Sequence, residues 1–158
     1  MRVHAWLVPG TWQAVVNACL ARPHDDQITL LVAADPVEDI PSGIMGSLMG
    51  RGHRTKEFPH TEQLSLQAAD DLMTQAVSAL GRPAEHRILQ GRTERVVTDA
   101  CADADLLLLA RDGDRSRLGP RSLGDHTRFV LDHAPCTVTL LWPGDAPSLA
   151  SIPPAPPR

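Results

Sequence analysis

Two short runs constrain this chain more than any other feature. Ile28 to Ala34 and Leu106 to Ala110 are almost wholly apolar, without the alternation of a half-exposed strand. Strands of that kind are covered on both faces, and parallel sheets between helix layers provide such cover. The segments between the apolar runs carry helical spacing instead. Trp12, Val15, Val16, Cys19 and Leu20 share one face, as do Leu66, Ala69, Met73, Ala76, Val77 and Leu80. The predicted order is strand Val3 to Val8, helix to Leu20, strand Ile28 to Ala34, helix Thr61 to Leu80 and strand His86 to Gln90. Helix Thr93 to Ala104, strand Leu106 to Ala110, helix Asp125 to His133 and strand Thr137 to Trp142 follow. Strand and helix alternate throughout, which predicts an α/β fold with a parallel sheet.

The chain of 158 residues has the length of one domain. Residues 1–142 carry the alternation. From Pro143 the prolines at 147, 153, 154, 156 and 157 leave no periodicity, so 143–158 reads as a disordered or extended tail. Asp35 to His60 is irregular, and Pro41 to His53 mixes Ile44, Met45, Leu48 and Met49 with glycines. That stretch fits a crossover loop, or an adaptable lid or partner-binding patch.

A net charge of −4 argues against a non-specific nucleic-acid binder. No apolar run approaches the roughly 20 residues that span a bilayer, and Pro9 and Gly10 end the first one early. A cytoplasmic protein is expected. Cys19, Cys101 and Cys136 read as reduced core thiols. The histidines form no close pair, and no Cys-x-x-Cys is present, so no metal site is expected. A Gly-x-Ser-x-Gly elbow and a Walker loop are both missing. Asp70 and Asp71 are adjacent carboxylates in mid-helix, where a solvated face explains them. No catalytic constellation emerges.

The stretch from Gly91 to Trp142 is more specific. It holds Asp105 followed by four leucines, a glycine-bearing loop, a helix, then His133-Ala134-Pro135-Cys136-Thr137-Val138. This resembles the C-terminal half of the universal stress protein family, and the element order resembles that family from Val3 to Trp142. The resemblance implies strand order 3-2-1-4-5. Ligands in open α/β sheets bind where the strand order reverses, outside the carboxyl ends of the strands. Here those ends are Val8 to Thr11 and Ala110 to Gly113.

Nucleotide-binding members of the family carry Gly, two residues, Gly, nine residues, then Gly and Ser or Thr. On this chain the first Gly is Ala110 and the second is Gly113. Ten residues separate Gly113 from Gly124, and Asp125 replaces the Ser or Thr. The acid that the family often has after strand one is replaced by Pro9, Gly10 and Thr11. Asp125 reads as the helix N-cap, with its carboxylate where a phosphate would sit. Arg111, Arg115, Arg117 and Arg121 crowd the same loop as alternative phosphate ligands, or as members of a solvated, ion-paired loop. The resemblance places Val32 on the apolar side of the cleft.

The expected function is a stress-associated regulatory or binding module with weak or lost ATP binding. The alternative is an ATP-binding universal stress protein with a divergent phosphate loop and, at most, slow hydrolysis. No cofactor is required on the first reading, and an adenine nucleotide binds weakly at best. The resemblance further implies a homodimer through Thr137 to Trp142. An unknown protein partner is compatible with both readings, whereas nucleic acid and membrane are not expected as partners.

Overall fold

The structure, a computed structural model, describes residues 1–36 and 58–158. The segment Pro41 to His53, read above as loop, lid or patch, lies outside the described residues. Strand β1 is Arg2–Leu7, helix α1 Trp12–Leu20, β2 Gln27–Ala34, α2 Phe58–Leu80 and β3 Glu85–Gln90. Helix α3 is Thr93–Ala100, β4 Leu106–Ala110, α4 Asp125–His133 and β5 Thr137–Leu141. The strands form one parallel sheet in the order β3-β2-β1-β4-β5. That is the 3-2-1-4-5 order the resemblance implied.

The register explains the two apolar runs. Leu7 pairs with Val32, and Val3 with Leu106, so β1, β2 and β4 form the sheet centre. Val3, Ala5 and Leu7 point into one core with α1 and α2. Trp6, Leu107 and Leu109 point into the other, against Val97 of α3 and Val130 of α4. Fully burying a leucine such as Leu107 stabilises the fold by about 1.5–3 kcal/mol. The edges differ in kind: β3 and β5 keep half-exposed or exposed residues along their length.

Most strand ends fall within a residue of the sequence reading, whereas two helix boundaries and the tail differ more. Helix α2 begins at Phe58, earlier than Thr61. Its end is as expected, with Gly81 at φ +57 donating its N–H to the Val77 carbonyl. Helix α3 stops at Ala100 and tightens into a 3-10 turn at Cys101–Asp103 instead of running to Ala104. The change lets Asp105 N–H bond the Arg2 carbonyl and start β4 in register. The tail, expected as disordered or extended, forms a 3-10 turn at Leu149–Ser151, and Ser151 Oγ accepts the Leu118 N–H at 3.0 Å.

All three cysteines are free thiols. Cys19 and Cys101 are buried and Cys136 is half-buried. Burial pushes the Cys19 thiol up to about 11 and the Cys101 thiol up to about 12. His133 bonds the Phe129 carbonyl at 2.8 Å and stacks on the Phe129 ring, which packs it against the last turn of α4.

Candidate functional site

The strand order reverses between β1 and β4, so the carboxyl ends of β1, β2 and β4 frame the place to look. A cavity of about 180 Å³ lies there. Val8, Val32, Ala69 and Leu72 give it apolar walls, and Asp35, Ser65, Thr93, Asp112 and His126 give it polar ones. Among the described residues no lysine or arginine lines it.

Two helices start at this cavity, and each start is filled by a carboxylate of the chain itself. Asp35 follows the last residue of β2, and its Oδ2 accepts the backbone N–H of Thr93 at the head of α3. Asp112 lies just beyond β4, and its Oδ1 accepts the N–H of Gly124 at 2.8 Å at the head of α4. A Cβ on Gly124 would stand 2.9 Å from that oxygen, so glycine is what lets the carboxylate sit flush against the helix end. A helix N-terminus attracts an anion through its unbonded N–H groups and its dipole. Here the anions are built in.

The loop between β4 and α4 closes on itself. Gly113 and Asp114 donate their N–H groups to the Ser122 and Arg121 carbonyls at 2.9 and 2.8 Å. A side chain at Gly113 would overlap the Arg121 carbonyl oxygen. Ser122 is fully buried, and its hydroxyl donates to the Gly119 carbonyl while accepting from Arg111 Nη1. The Arg111 guanidinium also lies 4.6 Å over the Trp142 ring, which ties the loop to the end of β5. Arg115 donates to the Arg111 carbonyl, whereas Arg117 and Arg121 are exposed. Asp114 is held below its usual range, first by its bonds to Ser116 and to a lesser degree by the charges of Arg117 and Arg121.

A second layer supports the cavity. Glu94 is buried in the first turn of α3 and takes His126 Nδ1 and Arg92 Nε at 2.8 Å each. Its carboxyl lies below the usual range, first through its own backbone N–H and then through Arg92 and His126, against the opposing effect of burial. Four buried side-chain polar atoms, His4 Nδ1, Arg111 Nε, Thr127 Oγ1 and Ser65 Oγ, have no hydrogen-bond partner among the described residues, and of these only Ser65 lines the cavity.

The residues singled out from the sequence scatter around this site. Pro9 and Val32 line the cavity. Gly10 makes the turn after β1 at φ +87, and Thr11 is the N-cap residue of α1. Ala110 is buried in β4, Arg111 is turned to Ser122 and Trp142, and Gly113 and Gly124 serve loop closure. The capping role read for Asp125 is corrected. Gly124 is the N-cap residue, and Asp125 is the exposed first residue of α4 and makes no side-chain cap bond. Asp112 takes the position instead, because β4 delivers it directly to the Gly124 N–H. Asp35, Ser65, Thr93, Asp112 and His126 were missed. A signal existed for two of them, since Asp35 and Asp112 are the first acids after two fully apolar strands.

Among solved structures the chain is similar to the hypothetical protein MJ0577, a test case of structural genomics, at 14% identity and TM-score 0.68, covering 92% of this chain and 97% of that one. It is also similar to a universal stress protein from Archaeoglobus fulgidus, at 14% identity and TM-score 0.54, covering 89% and 92%. A third is a universal stress protein family protein from Arabidopsis thaliana with AMP bound, at 14% identity and TM-score 0.54, covering 97% and 95%. No curated protein matches the chain. The model of the universal stress protein family matches residues 12–141, which is most of the chain, and the chain belongs to that family.

Proposed function

We propose that the chain is a regulatory or binding module of its family whose switch-point cleft no longer recruits ATP. One observation carries this reading: four backbone N–H groups around the cleft that could meet a phosphate are already bonded within the chain. Thr93 N–H is bonded to Asp35, Gly124 N–H to Asp112, and the N–H groups of Gly113 and Asp114 to carbonyls of their own loop. A phosphate would have to displace a carboxylate that is tied down and carries the same sign of charge. The alternative, an ATP-binding member with a divergent loop, draws on the AMP bound to the Arabidopsis neighbour. It requires Asp112 to leave Gly124.

Mass spectrometry of small molecules released from the purified protein, followed by calorimetry with ATP, tests the reading. The expected result is no co-purified nucleotide and a dissociation constant weaker than about 1 mM, or less than roughly 4 kcal/mol of binding. Stoichiometric ATP, or low-micromolar affinity, contradicts it. The same reading makes the protein a non-catalytic cytoplasmic homodimer. Strand β5 is a half-exposed edge, a hazard unless paired, and Pro143 limits how far pairing extends. No described helix is long and apolar enough to cross a membrane. Light scattering that finds a monomer at micromolar concentration contradicts the dimer.

A further inference from the structure

Cys101 and Cys136 come together at the amino end of β5. Cys101 opens the 3-10 turn that follows α3, and Cys136 is the residue before β5. Thr137 pairs with Leu106, which draws the start of β5 to the strand that the turn leads into. Cys101 is buried in the core between the sheet and helices α3 and α4, and Cys136 packs against that same cluster. Their thiols lie within reach of a weak hydrogen bond to each other. Cys19, the remaining cysteine, is buried in the core on the opposite face of the sheet.

The two sulfurs differ in access and in hold on the proton. Cys101 is fully buried, whereas Cys136 is half-buried. Burial, and then the neighbouring Cys136, push the Cys101 thiol up to about 12. Burial also raises Cys136, but hydrogen bonding from Cys101 and from the Leu107 backbone opposes that rise and favours a sulfur anion there. The proton therefore stays on Cys101, and Cys136 is the sulfur that an oxidant from solvent meets first.

We infer that Cys101 and Cys136 form a modification site, which hydrogen peroxide oxidises to an intramolecular disulfide with Cys136 as the attacking sulfur. The Cys136 sulfur takes one peroxide oxygen as the O–O bond breaks. The thiol proton and the departing hydroxyl make water, and Cys136 becomes a sulfenic acid. The Cys101 sulfur then attacks the Cys136 sulfur. An S–S bond replaces the S–O bond, and the Cys101 proton leaves with the displaced hydroxyl as a second water. Each sulfur gives up one electron, and the peroxide takes up both. The cross-link ties the turn after α3 to the start of β5 and closes the chain between them into a loop, which restricts the unfolded chain. Burial slows its formation and also limits the access of thiol reductants to the finished bond.

The test exposes the full, reduced chain to hydrogen peroxide. Thiols are then mapped by unfolding, alkylation and mass spectrometry without reduction. The expected product has lost two hydrogen atoms, carries a cross-link between Cys101 and Cys136, and keeps the Cys19 thiol. Its midpoint of denaturant unfolding lies above that of the reduced chain and returns to it with dithiothreitol. Cys101→Ser should stop at a sulfenic acid on Cys136, trapped by dimedone. Cys136→Ser should slow the loss of the Cys101 thiol by about tenfold or more. A wild type that keeps all three thiols under peroxide overturns the inference. So does a cross-link through Cys19, a disulfide between two chains through Cys136, or a sulfinic acid on Cys136 with Cys101 still free. The wild type carries the decisive readout, so the inference is tested even where a serine variant fails to fold.

Discussion

The two ends of the sheet use aspartate in opposite ways. At the amino ends of the strands three aspartates meet cations. Asp105 pairs with Arg2, Asp103 with Arg87, and Asp26 with Arg22 and the chain's amino group. A hollow of about 560 Å³ opens there, lined by both arginines and acids. At the carboxyl ends Asp35 accepts the Thr93 N–H and Asp112 the Gly124 N–H at two helix starts, and among the described residues no arginine or lysine lines the cavity beside them. The first arrangement neutralises charge in solvent, where single ion pairs contribute little. The second sets carboxylates on the positive ends of two helices beside a small cavity, where they occupy N–H groups an anion would otherwise use.

The comparison is broken most severely at Gly113. Gly113→Ala forces a Cβ into the Arg121 carbonyl, and the loop that presents Asp112 must shift. The expected loss is about 3 kcal/mol, read as a drop in the midpoint of denaturant unfolding. Wild-type stability in this variant would mean the loop is not closed as described.

Arg82 breaks the other end. Its guanidinium donates to the carbonyls of Cys19, Arg22, Pro23, His24 and Asp26, which stitches the turn before β2 to the entry of β3. Arg82→Ala should cost about 2 kcal/mol, because hydrogen bonds to a charged group are the stronger kind and part of this one lies in solvent. It should leave the affinity of the distant cavity unchanged.

Much of this fold was legible in the chain. Leu106 to Ala110 and Ile28 to Ala34 could only be strands covered on both faces, and the spacing of Leu66 to Leu80 marked the helix that packs on them. The strand order came with the family resemblance carried by His133 to Val138. The site was less legible because its key contacts are not local. Asp112 reaches Gly124 across the whole loop, so its neighbour Asp125 looked like the cap. The tightening of α3 at Cys101 depends on the pairing of Asp105 with Arg2, which no local pattern records. The contact between Ser151 and Leu118 joins two segments that each read as irregular.

The caps themselves give a finer comparison. Asp35→Ala and Asp112→Ala each remove one helix-start bond and should each lower stability by about 1 kcal/mol. If the Asp112 carboxylate also bars phosphate, only Asp112→Ala should raise the affinity for ATP. Thermal melts and titrations on the same two samples separate the roles.

The smallest effect is in pH. His4 is buried on β1, and burial holds its pKa below 6.5 despite Asp103 at 3.7 Å. The unfolded chain therefore binds a proton more readily than the folded one. Stability is fully present above pH 6.5 and declines as pH falls below it. Asp105, held at about 2 by Arg2, contributes in a different window: its stability is present above pH 3.8 and is lost as pH falls toward 2. His4→Gln should flatten the upper window and leave the lower one. An unchanged slope between pH 6.5 and 5 in that variant would contradict the assignment.

Titration of ATP into wild type, Asp112→Ser and Asp125→Ser tests the central claim most directly. If the carboxylate on Gly124 bars phosphate, Asp112→Ser raises ATP affinity by about tenfold or more, on the order of 1.4 kcal/mol. The exposed Asp125 should matter less, with Asp125→Ser changing affinity by under about threefold. Low-micromolar ATP binding by the wild type, unchanged in Asp112→Ser, would contradict the claim and return the phosphates to the loop arginines.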